Sequence, residues 1–524
     1  MLNDPSTIDN GVIDNDKLFQ FEMQPHNDFD SSLVNETYSK VYETSSAGRA
    51  LQTRQTLLQF SLNDDASIYD YTNSFVVFRQ LFRSTGVVPP DYVTNGWVTD
   101  DERLAWAPIN GTEKQIRRAV LTSAGGSAID SYQNDAHISY LVKDWVRNED
   151  DERRNCFKIG ENDTSGLLPK FYGSAETNLV PLMSQNIGGL AHANSQIALA
   201  NVGGIVSWLT NVNKLLYKQR TNVRPSGNPN EFLVESMIPL SVLFPYFKNV
   251  ENAHTRLTFN IELELHSHTS SLRHMVYEEG VDDAGHASPI ADAHRPQWDW
   301  ASSNPCFIML RRVLPSARLF DEVKSAVLRG IVLDKSYPDT QVFKSSYINT
   351  STQENWRVSN LLGRISKVIV FLQRQIRQES KVLAAERTWN PHVADHLGMM
   401  NISLSVGGVV YPNNGRYEPN FPLNPTETGT SPDIQAERLR IYNDWRRTTG
   451  STLTYSDWLR NPVYCFDVRS SDRETTLNNE LTLRWEKIQG VGVEDRYNVY
   501  CVVEYLKNVH IEMNNTGSLV RVVS

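Results

Sequence analysis

The sequence predicts an all-β protein of two tandem β-sandwiches or jelly rolls, with short helices in the connections. Three observations lead there. Each half of the chain carries several short segments in which apolar and polar residues alternate with the period of a strand. At 524 residues the chain exceeds what one hydrophobic core supports, so at least two packed units are expected. Residues 306–347 read as strand, short helix, strand, a hinge between two β units rather than a βαβ repeat.

Residues 1–50 are acidic and polar, with Asp4, Asp9, Asp14, Asp16, Asp28 and Asp30 in the first thirty, and read as an N-terminal arm. Removal of residues 1–35 is expected to leave folding intact. The first unit spans 51–314. In it Leu58, Phe60 and Leu62 alternate, and after a turn-like stretch at 63–66 the run 74–82 (SFVVFRQLF) is apolar enough to be buried on both faces. Ile138, Leu141, Val142 and Trp145 fall on one helical stripe, followed by the solvated charge run 148–152 (NEDDE). Residues 238–247 (IPLSVLFPYF) are too short to cross a membrane and suit a strand and corner against the core. The clearest alternation is Leu257, Phe259, Ile261, Leu263 and Leu265.

Residues 315–340 form the expected crossover helix and linker. Pro315 ends the strand 306–314 by removing a ladder donor, and Ser316 fits an N-cap. Phe320, Val323 and Val327 then share a helical face, and Gly330 sits where a left-handed C-cap is wanted. A turn is expected at 336–340 (SYPDT), so the second unit begins with the strand 341–347 and spans 341–524. Within it, 365–372 (ISKVIVFL) reads as a buried strand, and Ile402, Leu404 and Val406 alternate up to the break at Gly407–Gly408. Ser431 and Pro432 open a helix with apolar steps at Leu439, Ile441, Tyr442 and Trp445, and Gly450 closes it. Strands follow at 463–468, at Leu481, Leu483 and Trp485, and at 497–506. No tandem repeat is visible in the sequence.

Composition narrows the function. A net charge of −10 argues against a surface built to neutralise phosphates, so tight direct nucleic-acid binding is not expected. Cys156, Cys306, Cys465 and Cys501 are far apart and form no CxxC pair, which disfavours zinc and a disulfide framework. No signal peptide or membrane span is expected, and the Asn-x-Ser/Thr triplets at Asn35, Asn110, Asn162, Asn349, Asn401 and Asn514 are read as chance matches. There is no GxSxG, HExxH or P-loop, and Gly490 and Gly492 lack the third glycine and the setting of a dinucleotide loop. His266 and His268, followed by His274, His286 and His294, read as members of a polar loop, as do His392 and His396. The doublets Arg117–Arg118, Arg311–Arg312 and Arg446–Arg447 read as ion-pairing surface. No catalytic, cofactor-binding or metal residue is assigned, and no cofactor or enzymatic activity is expected.

Several segments are similar to those of one family. Residues 68–82 (IYDYTNSFVVFRQLF) resemble its D-L-x-N-S/T strand opening, 119–145 its strand leading to a tyrosine-bearing helix, and 232–265 the closing strands of its first barrel. Residues 306–347 resemble its crossover, 408–412 (GVVYP) its G-x-x-Y/I-P turn, 419–421 its P-N-F element, and 497–506 its terminal strand. In this order, over residues 50–513, the chain resembles the double jelly-roll major capsid proteins of eukaryotic double-stranded DNA viruses, in particular those of Polinton-like viruses, adintoviruses and virophages. It departs at 123–129 (SAGGSAI), which lacks the family's L-N-G turn, and in an unusually charged stretch between His266 and Trp298.

The resemblance implies two jelly rolls and a homotrimer that presents six similar barrels as a pseudo-hexameric capsomer. Such capsomers would tile an icosahedral shell in the virion, with minor capsid and penton proteins as partners. The arm would become ordered on assembly, and apolar residues outside the strands, 238–247 and Trp445, would serve as contact surface. The alternatives are a minor capsid or spike protein, or a carbohydrate-binding or carbohydrate-active β-sandwich. The last would use Trp97, Trp106, Trp298 and Trp300, which lie near acids.

Overall fold

The computed structural model describes residues 33–44, 57–62, 68–84, 113, 116–123, 125–133, 135–146, 222–225, 231–249, 258–265, 296–300, 306–315, 321, 325, 329–348, 351–359, 364–374, 394, 398–413, 415–421, 431–451, 453, 455–460, 462–469, 480–488, 496–514 and 517–523. The first half supplies β1 (Leu33–Tyr42), β2 (Leu57–Leu62), β3 (Ile68–Ser84), β4 (Ile116–Ser123), β5 (Ala128–Tyr132), helix α1 (Ala136–Trp145), β6 (Asn222–Pro225) and β7 (Glu231–Pro239). It continues with α2 (Leu240–Leu243), α3 (Pro245–Asn249), β8 (Phe259–Leu265), β9 (Pro296–Trp300) and β10 (Phe307–Pro315). The second half supplies β11 (Ile331–Ile348), β12 (Gln353–Val358), β13 (Arg364–Arg374), β14 (Met399–Val406), β15 (Val409–Tyr411), α4 (Pro432–Thr449) and α5 (Tyr455–Arg460). It ends with β16 (Tyr464–Asp467), β17 (Leu481–Lys487), β18 (Arg496–Asn514) and β19 (Gly517–Val523).

These strands form four antiparallel sheets, β1-β10-β3-β7-β6 with β9 beside β3, β2-β8-β4-β5, β11-β18-β13-β16 with β19 beside β18, and β12-β17-β14-β15. Among the described residues, with β6, β9 and β19 set aside, each half holds eight strands in one permutation: first, eighth, third, sixth in one sheet, second, seventh, fourth, fifth in the other. That order is a jelly roll, made twice. Only the link from fourth to fifth strand stays within a sheet, and both such hairpins turn on glycine: Gly126 at φ 81°, Gly407 and Gly408 at φ 56° and 85°. Val406 pairs with Val409, so Gly407–Gly408 is a two-residue loop needing positive φ at both positions.

Alternation fills both cores. Across β2, β8 and β4 the register aligns Leu58, Leu263 and Ala119, then Phe60, Ile261 and Leu121, all buried. The corresponding rows of the second barrel are Val358, Leu481 and Val406, then Trp356, Leu483 and Leu404. Opposite the first set, Ile308, Val76 and Ile238 align across β10, β3 and β7 and enter the same core. Truncating one such residue to Ala removes contacts worth about 2–5 kcal/mol.

Several expectations hold locally. Ser431 Oγ accepts from Ile434 N, Pro432 is the first helical residue, and Gly450 closes α4 at φ 71°. Leu439, however, is 45% exposed; the buried face of α4 is Arg438, Ile441, Tyr442 and Trp445. In the crossover Asp321, Ser325 and Arg329 are helical, and Gly330 has φ 82°, as an αL cap requires.

Other expectations are corrected. No turn interrupts 336–340: β11 runs from Ile331 to Ile348, paired with β18 throughout, so residues 331–340, expected as linker, are strand. Pro338 is tolerated because β11 is an edge strand, where a missing donor breaks no second ladder. The end of the arm is also barrel: β1 pairs with β10 from Leu33 to Tyr42, so an arm ending at residue 50 does not fit, whereas a 1–35 deletion keeps Glu36–Tyr42 of the strand. Alternation in β1 is hard to read because its outer face carries Tyr38 and Tyr42, both about half exposed. Residues 238–247 lie against the core, as their strand-and-corner reading expects, and neither they nor Trp445 are contact surface. Ile238, Leu240, Leu243, Phe244, Tyr246, Phe247 and Trp445 are all fully buried within the chain, through α2 and α3 in one core and α4 in the other.

Deleting residues 1–43 strips β1 from β10 and leaves an open strand edge over an exposed core, whereas a chain beginning at residue 33 keeps the sheet. Thermal unfolding and light scattering are expected to show lower stability and aggregation for the 1–43 deletion alone.

Candidate functional site: the buried seam between the barrels

The two barrels share residues. Helix α1 follows β5 of the first barrel, yet places Ile138, Leu141, Val142 and Trp145 in the core of the second, while Ala136 and Tyr140 stay with the first. Trp145 meets Phe371 edge-on at 4.8 Å, and Phe371 stacks on Tyr500. Conversely, the ribbon made by the start of β11, the end of β18 and β19 returns to the first barrel, adding Leu333, Tyr337, Val509, Ile511 and Val520 to its core. Ser139 with Thr340, and Ser127 Oγ donating to Val520 O, stitch the two together.

At the centre lies Lys507, from β18. Its Nζ donates to Asp130 Oδ1 of β5 at 3.0 Å and to Asp339 Oδ2 of β11 at 2.9 Å, and none of the three is more than 5% exposed. Tyr337 Oη and Tyr246 N also donate to Asp130; Tyr132 Oη, Tyr505 Oη and Thr340 N donate to Asp339. Lys143 Nζ donates to Tyr132 Oη and lies over its ring. Burial pushes the Asp130 carboxyl above its ordinary range, only partly offset by Lys507. Burial works against the Lys507 ammonium too, but the two carboxylates outweigh it and hold Lys507 above its ordinary value. Burial and the same carboxylates push Tyr337 and Tyr505 up, so both remain donors. A buried charge cluster of this kind tolerates no missing partner.

On the outward face of the ribbon, Asp334, His510 and Arg521 align across β11, β18 and β19. His510 Nδ1 contacts Asp334 and Nε2 lies 3.2 Å from Glu512, which also faces Arg521. The hydrogen bond to Asp334, then that to Glu512, raises His510 above 6.5.

Two family-like motifs are clamps. Asp70 Oδ1 accepts from Asn73 N, Asp70 Oδ2 binds Asn73 Nδ2 and Arg311 Nη1, and Ser74 Oγ accepts from Arg311 N, where β10 shifts register against β3. Arg438 of α4 donates to the carbonyls of Pro419 and Asn420 and covers the Phe421 ring. Arg117 and Arg118 pair with Glu264 and Glu262, and Arg447 with Asp444. A groove of about 580 Å³ is lined by polar residues including Gln353, Asn355, Ser403, Arg484 and Glu486; its one tryptophan, Trp485, is 2% exposed and donates Nε1 to Tyr497. That is no aromatic platform for a sugar.

His266, His268, His274, His286, His294, His392, His396, Gly490, Gly492, Cys156, Trp97 and Trp106 lie outside the described residues, as does the 148–152 charge run. Trp298 and Trp300 are in β9 beside β3. Among the described residues no His, Cys, Asp and Glu group is arranged to hold a metal, and no helix is long and apolar enough to cross a membrane. Sequence reasoning missed the seam triad: its members lie up to 377 positions apart, and Asp339 looked like a turn residue.

The fold is that of a double jelly-roll protein. A chain of the 3.5 Å cryo-EM structure of the Sputnik virophage matches 96% of this chain over 92% of its own, with TM-score 0.54 and 11% identity. Mavirus major capsid protein matches 93% over 90% of its own, with TM-score 0.49 and 10% identity, and Faustovirus major capsid protein 93% over 92%, with TM-score 0.42 and 8% identity. The first similarity establishes a shared fold; the lower two scores add nothing to it. No family model and no curated protein matches the sequence.

Lys507→Met leaves two buried carboxylates facing each other, and is expected to lower stability by about 3–5 kcal/mol in chemical denaturation, partly restored when Asp130→Asn and Asp339→Asn are added. His510 follows the rule for a raised group: its contribution is complete below 6.5 and is lost as pH rises through the folded value. The unfolding temperature is therefore expected to fall slightly from about pH 6 to about pH 8, and His510→Gln to flatten that slope.

Proposed function

We propose that the chain is the major shell subunit of an icosahedral virus capsid, a structural protein without a catalytic cycle, located in the virion. One observation carries this reading: two barrels of identical strand order are locked into one body by shared cores. Three such chains around a threefold axis present six similar barrels, a pseudo-hexameric tile able to pack with neighbours on a lattice. The Sputnik chain of the same fold belongs to a virophage particle, which supports the assignment. Tyr38, Tyr42, Ile348, Val410 and Leu506, all more than 40% exposed, offer apolar contact for other subunits. Minor capsid and penton proteins are the further partners, and the net charge of −10 favours protein contact over tight genome binding.

Sedimentation of the purified chain is expected to show a species of three chain masses that gives larger assemblies as salt is varied. A stable, folded monomer at micromolar concentration under all salt conditions would overturn the capsid reading.

A further inference from the structure

One carboxylate balances one ammonium, but Lys507 has two. The two differ in surroundings. Asp339 accepts three further hydrogen bonds, from Tyr132 Oη, Tyr505 Oη and Thr340 N. Asp130 is fully buried: its Oδ1 accepts from Lys507 Nζ and Tyr337 Oη, and its Oδ2 from the backbone N–H of Tyr246 at 2.9 Å. From these positions we infer that Lys507 and Asp130 condense into an amide, an isopeptide cross-link between the two barrels, with Asp339 as the proton carrier.

Each group has a place in the step. Lys507 Nζ passes one proton to Asp130 Oδ1 along their 3.0 Å hydrogen bond, giving an amine and a carboxylic acid. Burial favours that neutral acid at Asp130. Nζ then attacks Cγ, and the negative charge that develops on Oδ2 is met by the Tyr246 N–H, already in place. The nitrogen, now cationic, gives a second proton to Asp339 Oδ2 at 2.9 Å. Asp339 returns that proton to the Oδ1 hydroxyl, with Tyr337 Oη donating to the same oxygen, and water departs. The Nζ–Cγ bond forms, the Cγ–Oδ1 bond breaks, and one water is released. The triad carries a charge of −1 before and after, and no oxidant or external reactant is needed.

In bulk water this condensation is unfavourable, but here both groups are fixed in contact, and such arrangements reach effective molarities of about 10⁵ M or more. The product amide also removes a buried ion pair and its desolvation cost. Because the two carboxylates hold Lys507 charged, the amine is a minor form, and the reaction is expected to follow folding slowly. The inference concerns the single chain and stands apart from the capsid reading.

Intact-mass spectrometry of the folded full-length chain, denatured only for measurement, is expected to give the sequence mass less one water after prolonged incubation. Peptide mapping is expected to find a branched peptide joining the Asp130 and Lys507 segments. Two variants keep the site's charge supportable: Asp339→Asn leaves one ammonium with one carboxylate, and Lys507→Arg keeps the cation without the amine. Both are expected to keep the full mass while circular dichroism shows native β structure. Full mass in the folded parent, or a water loss that maps elsewhere, would overturn the cross-link. A branched peptide forming as fast in Asp339→Asn would overturn the role given to Asp339.

Discussion

A single ammonium held between two carboxylates in a dry interior ties the two halves together. Asp130 belongs to the first barrel, Asp339 and Lys507 to strands that begin or end in the second. Asp130 cannot stay charged in the first half alone, because an unmatched carboxylate without water is far costlier than the paired cluster. The tyrosines around it donate to the remaining carboxylate lone pairs, so the cluster is closed by hydrogen bonds.

Apolar exchange reinforces this constraint. Helix α1 is lent by the first barrel and the β11, β18 and β19 ribbon by the second, so each core contains residues of the other half. Beads joined by a short linker would swivel, as small polar interfaces allow. Here the interface is continuous with two cores and carries a buried ionic centre, so the barrels behave as one rigid unit.

Family-like motifs in such a chain invite a chemical reading, yet here they act mechanically. Asp70, Asn73 and Ser74 hold a register shift against Arg311, and Arg438 pins the 419–421 segment. Each satisfies backbone or charged groups where a strand or connection departs from regular geometry.

Local periodicity determined much of this protein. Period-two alternation in β2, β8, β14 and β17, the α1 stripe, the Ser431 cap and the glycine at 450 each follow from contacts between near neighbours, so the residues suffice to read them. What only the tertiary structure decided were features whose partners are distant. The strand at β11 overrides the turn signal of Pro338 and Asp339 because β18 supplies an uninterrupted ladder, and because Asp339 is taken by Lys507. The strand β1 exists because β10 offers it an edge. Above all, the twofold use of one strand permutation leaves no trace as a sequence repeat. Strand order depends on which edges meet, and many side-chain sets satisfy the same pairing.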